Sequence, residues 1–429
     1  MKARTTSTIL AVAGAVASTA FAAVPVIDTS SVSVRQDGSH TVVIDYTMNP
    51  ATSGDTEPAI VTVDVLTNGV SVGGEHLRTL SGDVNKVVAH TGDYKHKILW
   101  SPHKEGMPEF LLPAAQVTAQ VTVWSTNSPP DYWVLDLTQP TDRTADRYYP
   151  NAGQLPGSVT NILYKTDRLV MRRIPAKGVT WKMGNVESAK DVSALHYVTL
   201  SYDYYMAIYE TTQAQALRMV PTASAQSSGT IGDAKPYTQF GGNGRYSNLR
   251  MASSNSAGWP IQGHEVDSTK FIGKCRIGLG GIMIDLPTEA EWEFACRAGS
   301  STKYCNGDTT ADLDKVAWYG GTQGDWHDVG LKDANNWGLY DMHGNVDEWC
   351  LDYYSYKTAS PVWDPTGPTR ANVENPNNPS GSYYYIHAMR GGSIGTAEVA
   401  CESGRTSNKY NDNENASVRL GCRFCIIIP

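Results

Sequence analysis

The sequence predicts a multidomain chain: an all-β sandwich over residues 24–124, a connector over 125–164, and a loop-rich domain over 165–429. Three observations predict it. Short runs between Val24 and Trp124 alternate apolar and polar residues with no helical period. Gly, Tyr and Trp number 39, 23 and 11 while charged residues make up only 18%, which favours bends pinned by aromatic mass over long amphipathic helices. All seven cysteines lie at or beyond Cys275, so the two halves differ in composition.

Residues 1–22 read as a signal peptide. Lys2 and Arg4 form a basic start, Ile9 to Ala20 is a short apolar run, and Ala20-Phe21-Ala22 offers a small-residue cleavage site. The alternative, a retained anchor, needs roughly 20 apolar residues to span a bilayer, and this run is shorter. No later stretch is apolar enough to span, so the expectation is an exported chain that is secreted, periplasmic or held at the cell surface. In that setting some cysteines are expected in disulfides, with one left over from an odd number.

The first domain follows from four runs: VVIDYTM from Val42, AIVTVDVL from Ala59, HKILW from His96 and QVTAQVTVW from Gln116. Each is apolar at alternate positions, as a half-buried strand is, and turn-forming stretches separate them. Short strands at this spacing indicate an immunoglobulin-like or fibronectin-like sandwich. His40, His76, His90, His96 and His103 are scattered rather than spaced as ligands, and solvated surface histidines are expected. Residues 125–164 are rich in Pro, Gly, Asp and Thr without periodicity, as an ordered crossing segment or linker would be.

In the second domain, LVMRRIPA and WKMG read as short strands. Two helices are marked by capping boxes: Thr212 with Gln215, and Thr288 with Glu291. In the second helix Trp292, Ala295 and Cys296 fall on one side. A net charge of −8 and a pI near 5.7, with no Lys/Arg cluster, exclude a nucleic-acid partner on electrostatic grounds.

The stretch from Asn336 to Tyr353, NWGLYDMHGNVDEWCLDY, organises the rest. Asp341, Glu348 and Asp352 are hard oxygen donors, glycines permit bends, and aromatic residues hold the turn. Converging oxygens of this kind suit Ca2+, although the spacing is not that of an EF-hand. The alternative for these carboxylates is loop capping through backbone N–H groups.

Together with LPTEAEWEFACRAG at Leu286 to Gly299, RGGS at Arg390 to Ser393 and RLGCRF from Arg419, this stretch resembles the formylglycine-generating enzyme, or sulfatase-modifying factor, family. The resemblance covers roughly residues 165 to 429 and implies a compact mixed α/β fold of the C-type-lectin-like kind. It also implies a calcium site on the side chains of Asp341 and Glu348 and the carbonyls of Gly344 and Val346. A disulfide from Cys296 to Cys422 or Cys425 is implied too, since the family often bridges the equivalent helix to its last strand.

The family's enzyme converts a sulfatase cysteine to formylglycine with copper held by two cysteines, three and eight residues after the serine of RGGS. Counted from Ser393, those positions are Thr396 and Cys401. A hydroxyl is a poor ligand for Cu(I), which selects thiolates, so copper is not expected and Cys401 reads as structural. Where the family usually has Trp, this chain has Asp347 and Ile394, pointing to a recut upper surface. Cys422 and Cys425 form a C-x-x-C on what reads as a terminal strand, where residues three apart face opposite sides, against a redox or zinc role.

The segment Glu402 to Ser417 is crowded with Asn, Asp, Ser and Tyr, residues adapted to binding loops. Ile394, Asn408, Tyr410, Asn411 and Asn413 are the candidate binding positions, and a solvated polar loop is the alternative. The segment also resembles the variable region of retroelement-diversified lectin-fold proteins. Two functions remain: a non-catalytic recognition or structural module for a protein, peptide or glycan ligand, and an oxidoreductase acting on a sulfatase cysteine. Thr396 favours the first. A Ser/His/Asp hydrolase fares worse, because no motif sets a nucleophile beside His343 or His387.

Overall fold

The computed structural model describes residues 24–52, 57–89, 92–107, 117–139, 141–185, 194–225, 231–240, 249–250, 266–320, 326–354, 361–365, 387–407 and 419–428. The expected signal peptide and the candidate positions Asn408, Tyr410, Asn411 and Asn413 lie outside these residues.

Alternation in the first unit places strands as the sequence predicts. Val26–Gln36, Val42–Asn49, Lys95–Trp100 and Ser81–Gly82 form one antiparallel sheet in that order. Ala59–Thr67 pairs antiparallel with Val70–Ser71, Lys86–Val88 and Val117–Trp124 in a second. One core serves both sheets: Val42, Ile44, Tyr46 and Met48 meet Ala59, Val61, Val63 and Val65, the period of two expected of strands. His96 departs from the expected solvated state. It is buried, stacks on Tyr46 at 5.2 Å between ring centroids, and sets Nδ1 3.0 Å from Asp83, because its strand alternates and position 96 falls on the core side with Ile98 and Trp100.

The stretch read as a connector supplies two strands to the second unit. Arg147–Tyr149, Tyr132–Asp136, Arg168–Ile174, Tyr204–Ala207 and Cys425–Ile427 form a five-stranded sheet in that order, every pair antiparallel. Tyr132–Asp136 carries Val134 and Leu135 into the sheet's opposite faces, a pattern hidden by the flanking Pro and Asp. The first unit is tied to this sheet through the Tyr148 N–H, which donates to the Asn85 carbonyl at 2.8 Å.

Both faces of the sheet are covered. Leu135, Leu169, Met171, Tyr205 and Ala207 pack in one cluster with the helices Gln213–Met219 and Phe271–Gly278. Val134, Val170, Tyr204 and Met206 pack in the other with the helix Glu289–Arg297. The predicted strands are present as Arg168–Ile174 and Thr180–Met183, and both predicted capping boxes are closed in both directions. Glu289–Arg297 is buried on every side rather than on one face, lying between the sheet and the loops above it.

The central stretch forms the strand Asp347–Tyr353, flanked by His387–Arg390 antiparallel and Leu420–Gly421 parallel. Cys422 joins the first core cluster and Cys425 the second, so they face opposite sides as expected. Among the described residues, no helix is long and apolar enough to cross a membrane.

Candidate functional site

The motif blocks meet in one buried polar network. The Thr288 and Glu291 capping box fixes the first turn of the Glu289–Arg297 helix, which aims Glu289, Trp292 and Glu293 at the neighbouring strands. Arg390 donates to Glu289 and Glu293, each at 2.9 Å, and to the Ser403 carbonyl at 3.0 Å. Trp292 Nε1 donates to Glu348 at 2.6 Å. Arg423 grips Glu348 at 2.7 Å and spends its remaining N–H groups on the carbonyls of Ala207 and Tyr340 at 3.0 and 2.8 Å. Each of these ionic side chains is at most 1% exposed. Charges so deep persist only when paired and hydrogen-bonded.

Beside this network lies the loop of the expected calcium site. Asp341 and Gly344 both have positive φ, +55° and +81°, and a Cβ on Gly344 would come within 2.2 Å of the Trp318 carbonyl, so the turn needs glycine there. Asp341 is 2% exposed, and its Oδ2 accepts the Gly330 N–H at 2.6 Å, which is loop capping. Its Oδ1 is buried without a hydrogen-bond partner, and burial pushes the carboxyl up to about 6.

Glu210, which the sequence analysis missed, completes the acidic group. It is fully buried, accepts from Asn345 Nδ2 at 2.7 Å and the Val346 N–H at 3.0 Å, and is pushed well up by burial and then by the nearby charges of Asp341 and Glu348. Its position in YETTQ, just before a helix cap, gave no sign of this. Both oxygens of Glu348 are already engaged, by Arg423 and Trp292. Among the described residues no three His, Cys, Asp or Glu side chains converge as a metal site. A cation here would therefore draw on backbone carbonyls as well as carboxylates, and the orphaned Asp341 Oδ1 is the feature of the site that suits one.

The copper positions are side by side but do not suit copper. The Thr396 hydroxyl hydrogen-bonds the Cys401 thiol, accepts the Ser393 N–H at 2.9 Å and donates to the Ser393 carbonyl at 2.8 Å. Cys401 is fully buried, and burial pushes its thiol up to about 12, far from the thiolate that binds metal or attacks a substrate.

All seven cysteines are free, so the expected disulfide from Cys296 to Cys422 or Cys425 is absent. The three thiols point at different partners. Cys296 lies 3.6 Å from His343 Nε2, Cys422 donates to Thr211 at 3.6 Å, and Cys425 to Glu291 at 3.9 Å. The contact of Cys296 with His343 is a cysteine–histidine pair not legible in the sequence. Its histidine is committed elsewhere: Nδ1 lies 2.7 Å from the Cys401 carbonyl, which makes it the donor, and Nε2 accepts the Cys305 N–H at 3.1 Å. With both nitrogens held and the Cys296 thiol pushed up to about 12 by burial, the pair is a packing contact.

Ile394 and Asp347, expected on a recut upper surface, are 2% and 7% exposed. The Ile394 N–H is tied to the Asn345 carbonyl at 3.0 Å, so this side chain presents almost nothing to a ligand.

The fold and site define a loop-rich domain whose motif blocks are mutually locked and whose copper positions hold one buried thiol. The chain belongs to the family described by the sulfatase-modifying factor enzyme 1-like domain, whose model matches residues 169–426. It is 30% identical over 210 residues to the chaperone protein LppX of Paenibacillus barcinonensis, covering 42% of this chain and 73% of that one. It is 32% identical over 154 residues to the formylglycine-generating enzyme of Streptomyces coelicolor, covering 32% and 45% respectively. Of the kinase pkn1 of Chlamydia pneumoniae, 25% identical over 245 residues, the match spans only 34%. Among solved structures, Treponema denticola variable protein 1 aligns over 63% of this chain and 96% of its own, with a TM-score of 0.42 and 24% identity.

Proposed function

We propose that this chain is an exported, non-catalytic recognition module of the sulfatase-modifying factor family, in which an immunoglobulin-like unit presents a C-type-lectin-like domain. The observation that carries the proposal is the pairing of Thr396 with the buried Cys401 thiol. Copper(I) needs two accessible thiolates, and this pair offers one protonated thiol and a hydroxyl. No oxidation step is therefore assigned to these residues.

Calcium is part of the same proposal. Asp341 and Glu348, with the carbonyls of Gly344 and Val346, would hold it, and Glu210 would add negative charge behind them. When bound it would supply charge balance for buried carboxylates and brace the loop. The relative from Paenibacillus is named a chaperone protein, which agrees with a role in holding another protein; a peptide or glycan is the other ligand class proposed. The recognition contacts are assigned to the Glu402 to Ser417 segment, with Asn408, Tyr410, Asn411 and Asn413 as contact residues.

The test is copper binding by the reduced protein, together with aerobic oxidation of a short sulfatase-type cysteine peptide. Neither stoichiometric Cu(I) nor turnover is expected, while calcium raises the melting temperature of the wild type and fails to do so for Asp341→Asn. Turnover abolished by Cys401→Ala would refute the recognition reading and restore the oxidoreductase.

A further inference from the structure

A cleft of about 310 Å³ opens where the first unit meets the five-stranded sheet, away from the motif network. Its walls include three arginines from three places in the chain. Arg78 comes from the loop after the short Gly74–His76 turn, Arg147 from the sheet's edge strand, and Arg168 from the strand Arg168–Ile174. In a chain of net charge −8, such convergence is unusual enough to need a cause.

Two of the three arginines, Arg147 and Arg168, are incompletely neutralised. Arg147 Nη1 donates to the carbonyls of Thr144 and Asp146 at 2.7 Å, which satisfies N–H groups without cancelling charge. The nearest carboxylate contact of Arg168 is Asp136 at 3.8 Å, long for an ion pair. Arg78 is paired with Glu105 at 3.3 Å, a carboxylate that does not itself line the cleft. The nearby Asp146 carboxylate is shared between Arg143 at 3.5 Å and the Asp136 N–H at 3.0 Å. Asp136 is therefore the one carboxylate among the residues lining the cleft.

A second observation narrows the ligand. Asn85 lines the same cleft, is 5% exposed, and has a side-chain oxygen with no hydrogen-bond partner. A buried acceptor left alone is costly, and a ligand hydroxyl satisfies it. Leu163, 36% exposed, and the half-buried Leu80 add an apolar surface on which the C–H face of a sugar ring can lie.

We infer that this cleft binds a small hydroxylated anion, a sugar carrying a carboxylate or phosphate, with the arginines on the anionic group and Asn85 on a hydroxyl. Because its walls come from both units, the ligand braces the junction made by the Tyr148 to Asn85 bond. The site is independent of the copper and calcium positions, so the inference stands or falls apart from the recognition proposal.

The test is a titration of the full chain at constant ionic strength with D-glucuronate, glucose 6-phosphate, glucose or inorganic phosphate, read by melting temperature and calorimetry. A saturable rise is expected with one or both sugar anions, none with glucose, and affinity about tenfold weaker or worse in Arg147→Gln. A response to glucuronate alone identifies a sugar acid, and one to glucose 6-phosphate alone a sugar phosphate. No response to either sugar anion, equal response to glucose, or inorganic phosphate matching the sugars would each overturn the inference. Undiminished affinity in the arginine variant would do so as well. Far-UV circular dichroism checks that Arg147→Gln is folded. If it is not, Arg78→Gln, whose side chain is 54% exposed, serves in its place after the same check.

Discussion

Arg390→Met tests whether the motif blocks hold the fold together or merely accompany it. The guanidinium is 1% exposed, sits 5.9 Å from the Trp292 ring centroid, and binds two carboxylates that are themselves at most 1% exposed. Methionine preserves much of the volume, so packing changes little and the loss is mainly electrostatic. Glu293 keeps Arg297 at 2.8 Å and the Gly184 N–H at 2.8 Å, and Glu289 keeps the Thr406 hydroxyl at 2.7 Å. Glu289 thus loses its guanidinium while staying buried. Breaking a buried pair from one side costs about 3–5 kcal/mol.

The assay is urea unfolding at pH 8 and pH 5, with Arg390→Met, Glu289→Gln and the double variant forming a cycle. A buried carboxylate without its counter-charge has a folded pKa above the unfolded value, so it contributes stability below the unfolded pKa that is lost as pH rises. The deficit of Arg390→Met should therefore shrink at pH 5, and Glu289→Gln should relieve part of it at pH 8. A loss at pH 8 under about 1 kcal/mol, the scale of an exposed pair, or a deficit that does not change with pH, would refute the account of these blocks as a charge-locked core.

Three further outcomes are expected. Thr288→Ala removes the hydroxyl that accepts the Glu291 N–H at 3.2 Å and should lower stability by about 1 kcal/mol in denaturant titrations. Gly344→Ala combines a backbone at φ +81° with a Cβ 2.2 Å from the Trp318 carbonyl, and should cost more than the roughly 1–3 kcal/mol of backbone strain alone, read as a lowered melting temperature. Burial raises Asp146 to about 6 despite the opposing pull of Arg143. Its folded pKa exceeds the unfolded one, so the folded protein loses stability relative to the unfolded chain as pH rises toward and through 6. Asp146→Asn should flatten that part of the stability curve.

Local signals made much of the framework legible. Alternation in VVIDYTM and AIVTVDVL marks strands because one face of each meets a common core, and the Thr212 and Thr288 boxes mark helix starts because the orphan N–H groups there need acceptors. The strands Tyr132–Asp136 and Arg147–Tyr149 were not legible: both are short, and the first is buried on two faces, so no clean period survives between turn residues. Glu210 and the contact of Cys296 with His343 were hidden for another reason. Their partners lie 135 and 47 residues away, and no local pattern reports a contact made by folding. The disulfide was inferred from family habit, and the thiols instead point at Thr211, Glu291 and His343.

The arrangement also explains why strong family motifs need not bring the family's chemistry. LPTEAEWEFACRAG supplies Glu289, Trp292 and Glu293, RGGS supplies Arg390, the central stretch supplies Glu348, and RLGCRF supplies Arg423. Each of these side chains bonds to another of them, and all are buried. The motifs therefore specify a core, whereas oxidation would depend on positions 396 and 401 beyond it. Thr396→Cys separates the two. It restores the second thiol at the cost of the short hydroxyl bonds to Ser393, but leaves Cys401 under the same burial that pushes it up to about 12. The variant should fold with the charge network intact and give no turnover of a sulfatase-type peptide with Cu(I) supplied. If it turns over, one substitution was all that separated this chain from the oxidase, and burial of Cys401 is not the barrier argued for it.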